Sequence, residues 1–438
     1  MSEVQIGIAS VALVVVLVLG GLEIATTLLL LSFAGIWMLR GDVQPALSML
    51  SMAAFSGIQD YVLATIPLFV LMGMFVSEGD IGKDLFEAAG RLLSRVAGGL
   101  GMATVAANAV FAAVTGISVA SAAVFARIAV PELLRNGYSL QFAVGTVAGS
   151  SILGMLIPPS ILLILYGVLA EQSIGKLFLA AFLPGVIMAV AFCVAIYVLA
   201  RYVPGFAGAG LREVRPLDTD ADRSKLLRRV APVFALIAMV LGGMYIGWFT
   251  PTEAAGVGAL GTAVIASLRG RLGRATMLRV LRNTGSISAT LMVLLVAASL
   301  YSRMLSMTGL PESIAQSLQG LGPTQFLMIY ILIILGLGMI LDSSSILLIL
   351  MPIAVPIATA VQVDLIHFGI ITLIAVEIGL LTPPLGLSAF AVKASLDDSR
   401  VDLSTVFRGS MPFVVVMLLV LTLIVLVPSI VTLVANQS

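Results

Sequence analysis

Residues 178–200 and 412–434 are apolar almost throughout, and each stretch is longer than the roughly 20 residues a helix needs to cross a bilayer. Comparable runs lie near 7–19, 22–39, 61–77, 141–168, 230–247, 252–268, 285–305 and 366–392; with 178–200 and 411–434 they give about ten expected crossings. Two further apolar stretches, about 97–135 and 323–360, are broken halfway by small and polar residues. Each has room for two short arms, so each reads as a re-entrant helical hairpin. Only 10% of the 438 residues are charged, against roughly one quarter in soluble domains. A soluble protein with one large core is therefore excluded.

Charge orients the chain. Residues 201–229 hold seven cations, Arg201, Arg212, Arg215, Arg223, Lys225, Arg228 and Arg229, and the stretch 269–282 holds five Arg and no acid. Both read as loops on the cytoplasmic side, since positive loops stay there. The first hairpin then enters from the cytoplasm, the second from the opposite face, and both termini are periplasmic. With 23 Lys plus Arg against 22 Asp plus Glu, no basic field suggests nucleic acid. Cys193 has no internal partner and is expected to be a buried, inert thiol. The opening MSEVQ lacks the positive region of a secretory signal, so the first apolar run reads as a retained span.

An internal repeat organises these spans. Ile128-Ala129-Val130-Pro131 recurs as Ile353-Ala354-Val355-Pro356. At the same offset, the stretch from Gly154 to Pro159 matches that from Gly379 to Pro384, and Ser118 aligns with Ser343. The predicted topology turns one copy over relative to the other, an arrangement found in secondary transporters. The expected fold is thus an all-α polytopic membrane protein. Scaffold spans would occupy 1–60, the first repeat 61–200, a cytoplasmic loop and connecting spans 201–284, and the second repeat 285–438. The broken spans would be 141–168 and 366–392.

The residues at the breaks carry the chemistry. The first hairpin turn runs from Thr115 through Gly116, Ile117 and Ser118 to Ser121. Non-helical backbone inside a membrane must be buried in protein or line a wet cavity. Its freed carbonyls and hydroxyls are hard oxygen ligands suited to an alkali cation, and the helix N-terminus that follows suits an anion. Small-residue helix packing is the alternative for the same residues. The second turn, Asp342-Ser343-Ser344-Ser345, adds an intramembrane carboxylate, costly and usually functional. Asp342 can serve a cation, a proton or the N-terminus of the next arm. Pro158-Pro159 and Pro383-Pro384 each remove two N–H donors and disfavour helix at the preceding residue. The spans are expected to unwind there, freeing carbonyls near Ile157 and Thr382. Glu377 either faces the binding cavity or pairs with a neighbour, and His367 reads as interfacial. No metal-ligand spacing, nucleophile elbow or Walker motif occurs, which disfavours an enzyme or an ATP-driven pump.

The chain resembles the large membrane subunit of the TRAP (tripartite ATP-independent periplasmic) transporters over nearly its whole length. The resemblance rests on IPLFVLMG (66–73), VTGISVASAAVFARIAVPELLRNGY (114–138), ILGMLIPPSILLILYG (152–167), SIGKLFLAAFLPG (173–185), WFTPTEAAGVGAL (248–260) and HFGIITLIAVEIGLLTPPLGL (367–387). It implies an elevator-type carrier in a bacterial or archaeal cytoplasmic membrane, taking up small organic anions such as carboxylates with Na⁺ as coupling ion and no organic cofactor. It also implies a separate small four-span subunit and a periplasmic substrate-binding protein. One Na⁺ site would use Ser118 with Gly154, Ile157 and Pro159; the other, Ser343 and Ser345 with Gly379, Thr382 and Pro384. Ile117 stands where the family commonly has Ser, leaving backbone ligation at that point. Ser121, Ser160, Asp342, Ser344 and Glu377 are candidates for the substrate region between the turns. A stand-alone Na⁺/anion symporter, a channel or scaffold, and an intramembrane enzyme are the competing readings.

Overall fold

The structure, a computed structural model, describes residues 2–59, 61–208, 223–318, 320, 322–396 and 398–435, and every regular element among them is helical. Helices α1 (Glu3–Leu19), α2 (Ile24–Arg40) and α3 (Val43–Gln59) open the chain. After a 3-10 turn, α4 (Thr65–Glu78) leads into α5 (Ile81–Leu93). The first hairpin is α6 (Gly99–Thr115) and α7 (Ser118–Arg135). An interrupted helix follows as α8 (Leu140–Ser151), α9 (Leu153–Leu156) and α10 (Ile161–Leu169). Next come α11 (Ile174–Tyr202), α12 (Pro204–Ala207), α13 (Arg223–Tyr245), α14 (Pro251–Leu268), α15 (Arg274–Thr308) and α16 (Leu310–Ser317). The second hairpin is α17 (Pro323–Gly338) and α18 (Ser343–Ala360), followed by α19 (Leu365–Gly379), α20 (Leu387–Ala394), α21 (Leu403–Leu426) and α22 (Ser429–Ala435).

Among the described residues, five helical segments are long and apolar enough to cross a membrane: 61–78, 174–202, 274–308, 343–360 and 403–426. The pair 140–156 and 161–169, bent by 44°, makes a sixth. Six further apolar helices, among them 3–19 and 365–379, are shorter, so fewer single helices meet that length than the ten expected crossings. The second arm α18 is itself long enough to span, where the sequence suggested a short re-entrant arm.

Several expectations change. The stretch 269–282 is loop only at its start, because Arg274, Arg279 and Arg282 belong to the first turns of α15. Arg212 and Arg215 lie outside the described residues. The last span ends at Leu426 rather than 434, and Pro428 separates it from α22. His367, in the first turn of α19, is buried against its neighbours, its Nε2 2.9 Å from the Ile424 carbonyl. Cys193 is half-buried rather than buried. The amphipathic α5, unanticipated, buries Ile81, Leu85 and Phe86 on one face and packs along α6.

Two groups of helices carry the core. In one, α15 lies against α2, α3 and α4, and α14 against α4 and α13. In the other, α8 lies against α6, α7 and α21, and α19 against α17 and α21. The tightest crossing is α8 on α21. A Cβ on Gly145 would lie 2.1 Å from the Gly409 carbonyl carbon, and one on Gly149 2.4 Å from Phe413 Cγ. Main chain thus meets main chain, the close approach that small residues four apart permit in membrane helices.

Candidate functional site

The first hairpin turns at Gly116, whose φ of +64° is left-handed, a conformation that costs any residue with a Cβ. A Cβ there would also lie 2.7 Å from the Pro159 carbonyl oxygen, so both shape and space require glycine. Helix α7 starts two residues later with no side-chain cap, since Ile117 precedes it. Its first N–H groups therefore carry an uncompensated positive end.

Both double-proline positions interrupt their helices, and both Pro-Pro bonds are cis. At the first, Ile157 is extended (ψ 122°), which turns its carbonyl out of the helical ladder. Ser160 caps α10, its Oγ accepting from the Leu163 N–H at 3.3 Å. The Ile161 N–H donates to the Gly116 carbonyl at 3.4 Å. Gly154 lies against the turn: a Cβ on it would be 3.1 Å from the Ile117 carbonyl carbon and the Ser118 nitrogen. Ser118, Gly154 and Pro159 thus converge, and Ile157 follows Gly154 in the same break. The Ser118 hydroxyl is fully buried with no hydrogen-bond partner.

The second turn is built differently. Asp342 caps α18, one carboxylate oxygen accepting the N–H groups of Ser344 at 3.0 Å and Ser345 at 3.2 Å. Its other oxygen accepts a hydrogen bond from the Ser345 hydroxyl, which leaves the lone pairs of that hydroxyl free. The capping alternative for Asp342 is therefore realised. The break docks on the hairpin arm, where Leu385 N–H donates to the Met339 carbonyl at 3.2 Å. A Cβ on Gly379 would lie 2.6 Å from Gly338 Cα. Thr382 turns its hydroxyl onto the Gly379 carbonyl at 2.7 Å, and its N–H reaches the same oxygen at 3.0 Å. A cation taking the Gly379 carbonyl would have to displace one of these donors. Asp342, Ser344 and Ser345 line a cavity of about 380 Å³ with Glu23, Ser286 and Thr290.

The substrate-region candidates separate. Ser121 is turned into the hairpin, its hydroxyl donating to Asn108 Oδ1 at 2.6 Å, while Asn108 Nδ2 donates to Ser150 Oγ at 2.6 Å. Asn108 went unnoticed in the sequence; a lone amide in an apolar arm was its signal. Glu377, on α19, is buried, and both its carboxyl oxygens lack a hydrogen-bond partner.

Paired hairpin turns and interrupted helices within an all-helical bundle define a multi-span membrane protein of transporter fold. The same fold is seen in the Alcanivorax borkumensis YdaH transporter, with a TM-score of 0.63 at 13% identity over 87% of this chain and 88% of that one. Neisseria gonorrhoeae MtrF is similar at a TM-score of 0.60 and 14% identity, covering 98% and 95%. The chain belongs to the DctM component family of the tripartite ATP-independent periplasmic transporters, whose model matches residues 11–430. It is a bacterial-family transporter permease rather than an enzyme. The C4-dicarboxylate TRAP transporter large permease protein DctM of Pseudomonas aeruginosa is 35% identical over 87% of this chain and 88% of its own length. The sialic acid TRAP transporter large permease protein SiaM of Vibrio cholerae is 30% identical over 85% and 86%. The isethionate TRAP transporter permease protein DctMQ of Oleidesulfovibrio alaskensis is 31% identical over 86% of this chain but 58% of its own length.

Proposed function

We propose that this permease takes up small organic anions, carboxylates foremost, across the cytoplasmic membrane in exchange for the energy of a Na⁺ gradient. The observation that carries this reading is the meeting of each hairpin with an interrupted helix, where hydroxyls and released carbonyls gather inside an apolar bundle. One Na⁺ would be held by Ser118 and its turn with Gly154, Ile157 and Pro159. The other would be held by Ser343 and Ser345 with Gly379, Thr382 and Pro384. Monovalent hard cations take such oxygen ligands. The substrate carboxylate would approach the uncapped start of α7, because Asp342 already occupies the start of α18.

The names of the relatives support the anion class, since they transport C4-dicarboxylates, sialic acid and isethionate. The part of DctMQ that this chain does not cover supports a separate small membrane subunit. A periplasmic binding protein would deliver the substrate. Pro131 lies inside α7 and Pro356 inside α18, matching places in the second arm of each hairpin. That match supports two repeated halves, which we read as inverted and moving as an elevator.

The test is reconstitution of the full chain with its small subunit and binding protein, a panel of labelled acids and an imposed Na⁺ gradient. Uptake should follow inward Na⁺. Equal uptake with choline in place of Na⁺ would overturn the reading. Thr382→Val combined with Pro383→Ala should lower Na⁺-dependent uptake more than membrane insertion. Equal uptake at equal expression removes the second-turn assignment.

A further inference from the structure

Asn108 lies midway along α6, the first arm of the first hairpin, and is fully buried. Its Oδ1 accepts from the Ser121 hydroxyl of α7 at 2.6 Å, and its Nδ2 donates to Ser150 Oγ of α8 at 2.6 Å. Both serines are fully buried too. One amide thus joins both hairpin arms to the interrupted helix. Parting these segments would leave polar groups unpaired in an apolar interior, which resists the separation. The turn is wedged as well, since Gly116 lies against the Pro159 carbonyl and Gly154 against Ile117.

The second hairpin is held differently. At the spacing that aligns Ile128–Pro131 with Ile353–Pro356, the residues Asn108, Ser121 and Ser150 correspond to Ile333, Ile346 and Ala375. None of these side chains can hydrogen-bond. The Tyr330 and Thr372 hydroxyls, 3.1 Å apart, tie α17 to α19 and bypass α18. Side-chain hydrogen bonds of α18 stay local, from Ser345 to Asp342 and from Thr359 to the Val355 carbonyl at 2.9 Å. Helix α18 also carries two internal prolines, Pro352 and Pro356, where α7 has only Pro131. Each proline removes a helical N–H donor and eases bending. The start of α18 borders the cavity of about 380 Å³, which gives it room to tilt.

We propose that Asn108 is a positioning residue that clasps the first hairpin shut on α8, so that α18 is the arm that swings to admit the anion. This rests on the carrier reading above. The clasp fixes the uncapped start of α7, where the substrate carboxylate is expected. The moving arm carries its own cap, Asp342, so its first N–H groups stay satisfied as it swings.

The test is segment-resolved hydrogen exchange on the purified full chain in lipid nanodiscs, without substrate, corrected for intrinsic rates. The matched windows are 122–126 in α7 and 347–351 in α18. In the wild type the α18 window should exchange at least about tenfold faster, the weight of one buried hydrogen bond. Asn108→Leu should raise exchange in 122–126 by about the same factor and leave 347–351 unchanged. Ser121→Ala, a milder change that keeps the bond between α6 and α8, carries the same expectation should Asn108→Leu fail to fold. In the complex reconstituted with small subunit and binding protein, Ser121→Ala should raise the half-saturating anion concentration severalfold at an unchanged maximal rate. A loosened α7 lowers the fraction of protein competent to bind. Equal exchange of the two windows in the wild type overturns the proposal. So does an unmoved 122–126 window in Ser121→Ala, or exchange that rises alike along the whole chain, which marks a merely structural role. Absent anion uptake by the wild-type complex, with the exchange contrast intact, would instead overturn the carrier reading.

Discussion

Gly116 closes the first arm of its hairpin, whereas Asp342 opens the second arm of its own. Gly116 uses a left-handed backbone, and Gly116→Ala should cost about 1–2 kcal/mol from that geometry alone. The contact with the Pro159 carbonyl adds to this, so the turn should shift away from the break. Uptake should be lost while membrane insertion persists, as uptake normalised to membrane-embedded protein will read. Asp342 ends its turn by capping. Asp342→Ala removes the acceptor of two backbone N–H groups and should cost about 1 kcal/mol. Asp342→Asn keeps the cap and drops the charge. A cap role alone predicts that Asn restores wild-type melting and wild-type Na⁺ dependence; a cation role predicts restored melting only. The capping role was legible in the sequence, because an acid followed by Ser-Ser-Ser opens an apolar run. The orientation of Ser121 was not. Whether a hydroxyl faces the cavity or the hairpin interior depends on its neighbour across the hairpin, here Asn108, which local sequence does not place.

At the scale of elements, the double prolines disclosed both breaks, since they act through local backbone chemistry. The crossing of α8 on α21 was hidden. Gly145 and Gly149 carry the spacing for close approach, but a chain with 42 glycines offers many such faces and does not say which helix receives this one. Gly145→Val should destabilise the protein by at least about 1–3 kcal/mol, the cost of overpacking, read as a lower melting temperature in detergent. The connection into α21 adds a pH test. Hydrogen bonds from Arg400 hold the Asp398 carboxyl down to about 2, and the Thr405 hydroxyl and N–H lower that of Asp402. Both carboxyls are depressed in the folded state. Their contribution is complete above the ordinary carboxylate range and is lost as pH falls through the lowered values. Hydrogen exchange at Thr405, corrected for intrinsic pH dependence, should stay protected at pH 5 and lose protection only once the pH falls below the ordinary carboxylate range.

Across the whole molecule, the hairpins were readable from spaced motifs, whereas the ties between distant helices were not. Arg269 is the main tie at the charged end. Its guanidinium donates to Asp84 at 2.7 Å on α5, to the Gly79 carbonyl at 3.3 Å and to the Arg229 carbonyl at 2.6 Å. Both side chains of the ion pair are less than one fifth exposed. Arg269→Ala should therefore cost about 1.5–3 kcal/mol, and Arg269→Lys should recover only part, since an ammonium lacks the planar fork. Melting temperatures of the two variants decide this. The seam where Gly145 meets Gly409 has a further consequence under the proposed carrier motion. With main chain against main chain at Gly145 and the Phe413 ring seated on Gly149, α8 and α21 interlock and would move as one. Val415, Leu419 and Leu426 of α21 point outward, 51%, 65% and 67% exposed. Each stroke would drag that greasy flank through the surrounding lipid, so the viscosity of the bilayer would itself set a ceiling on turnover.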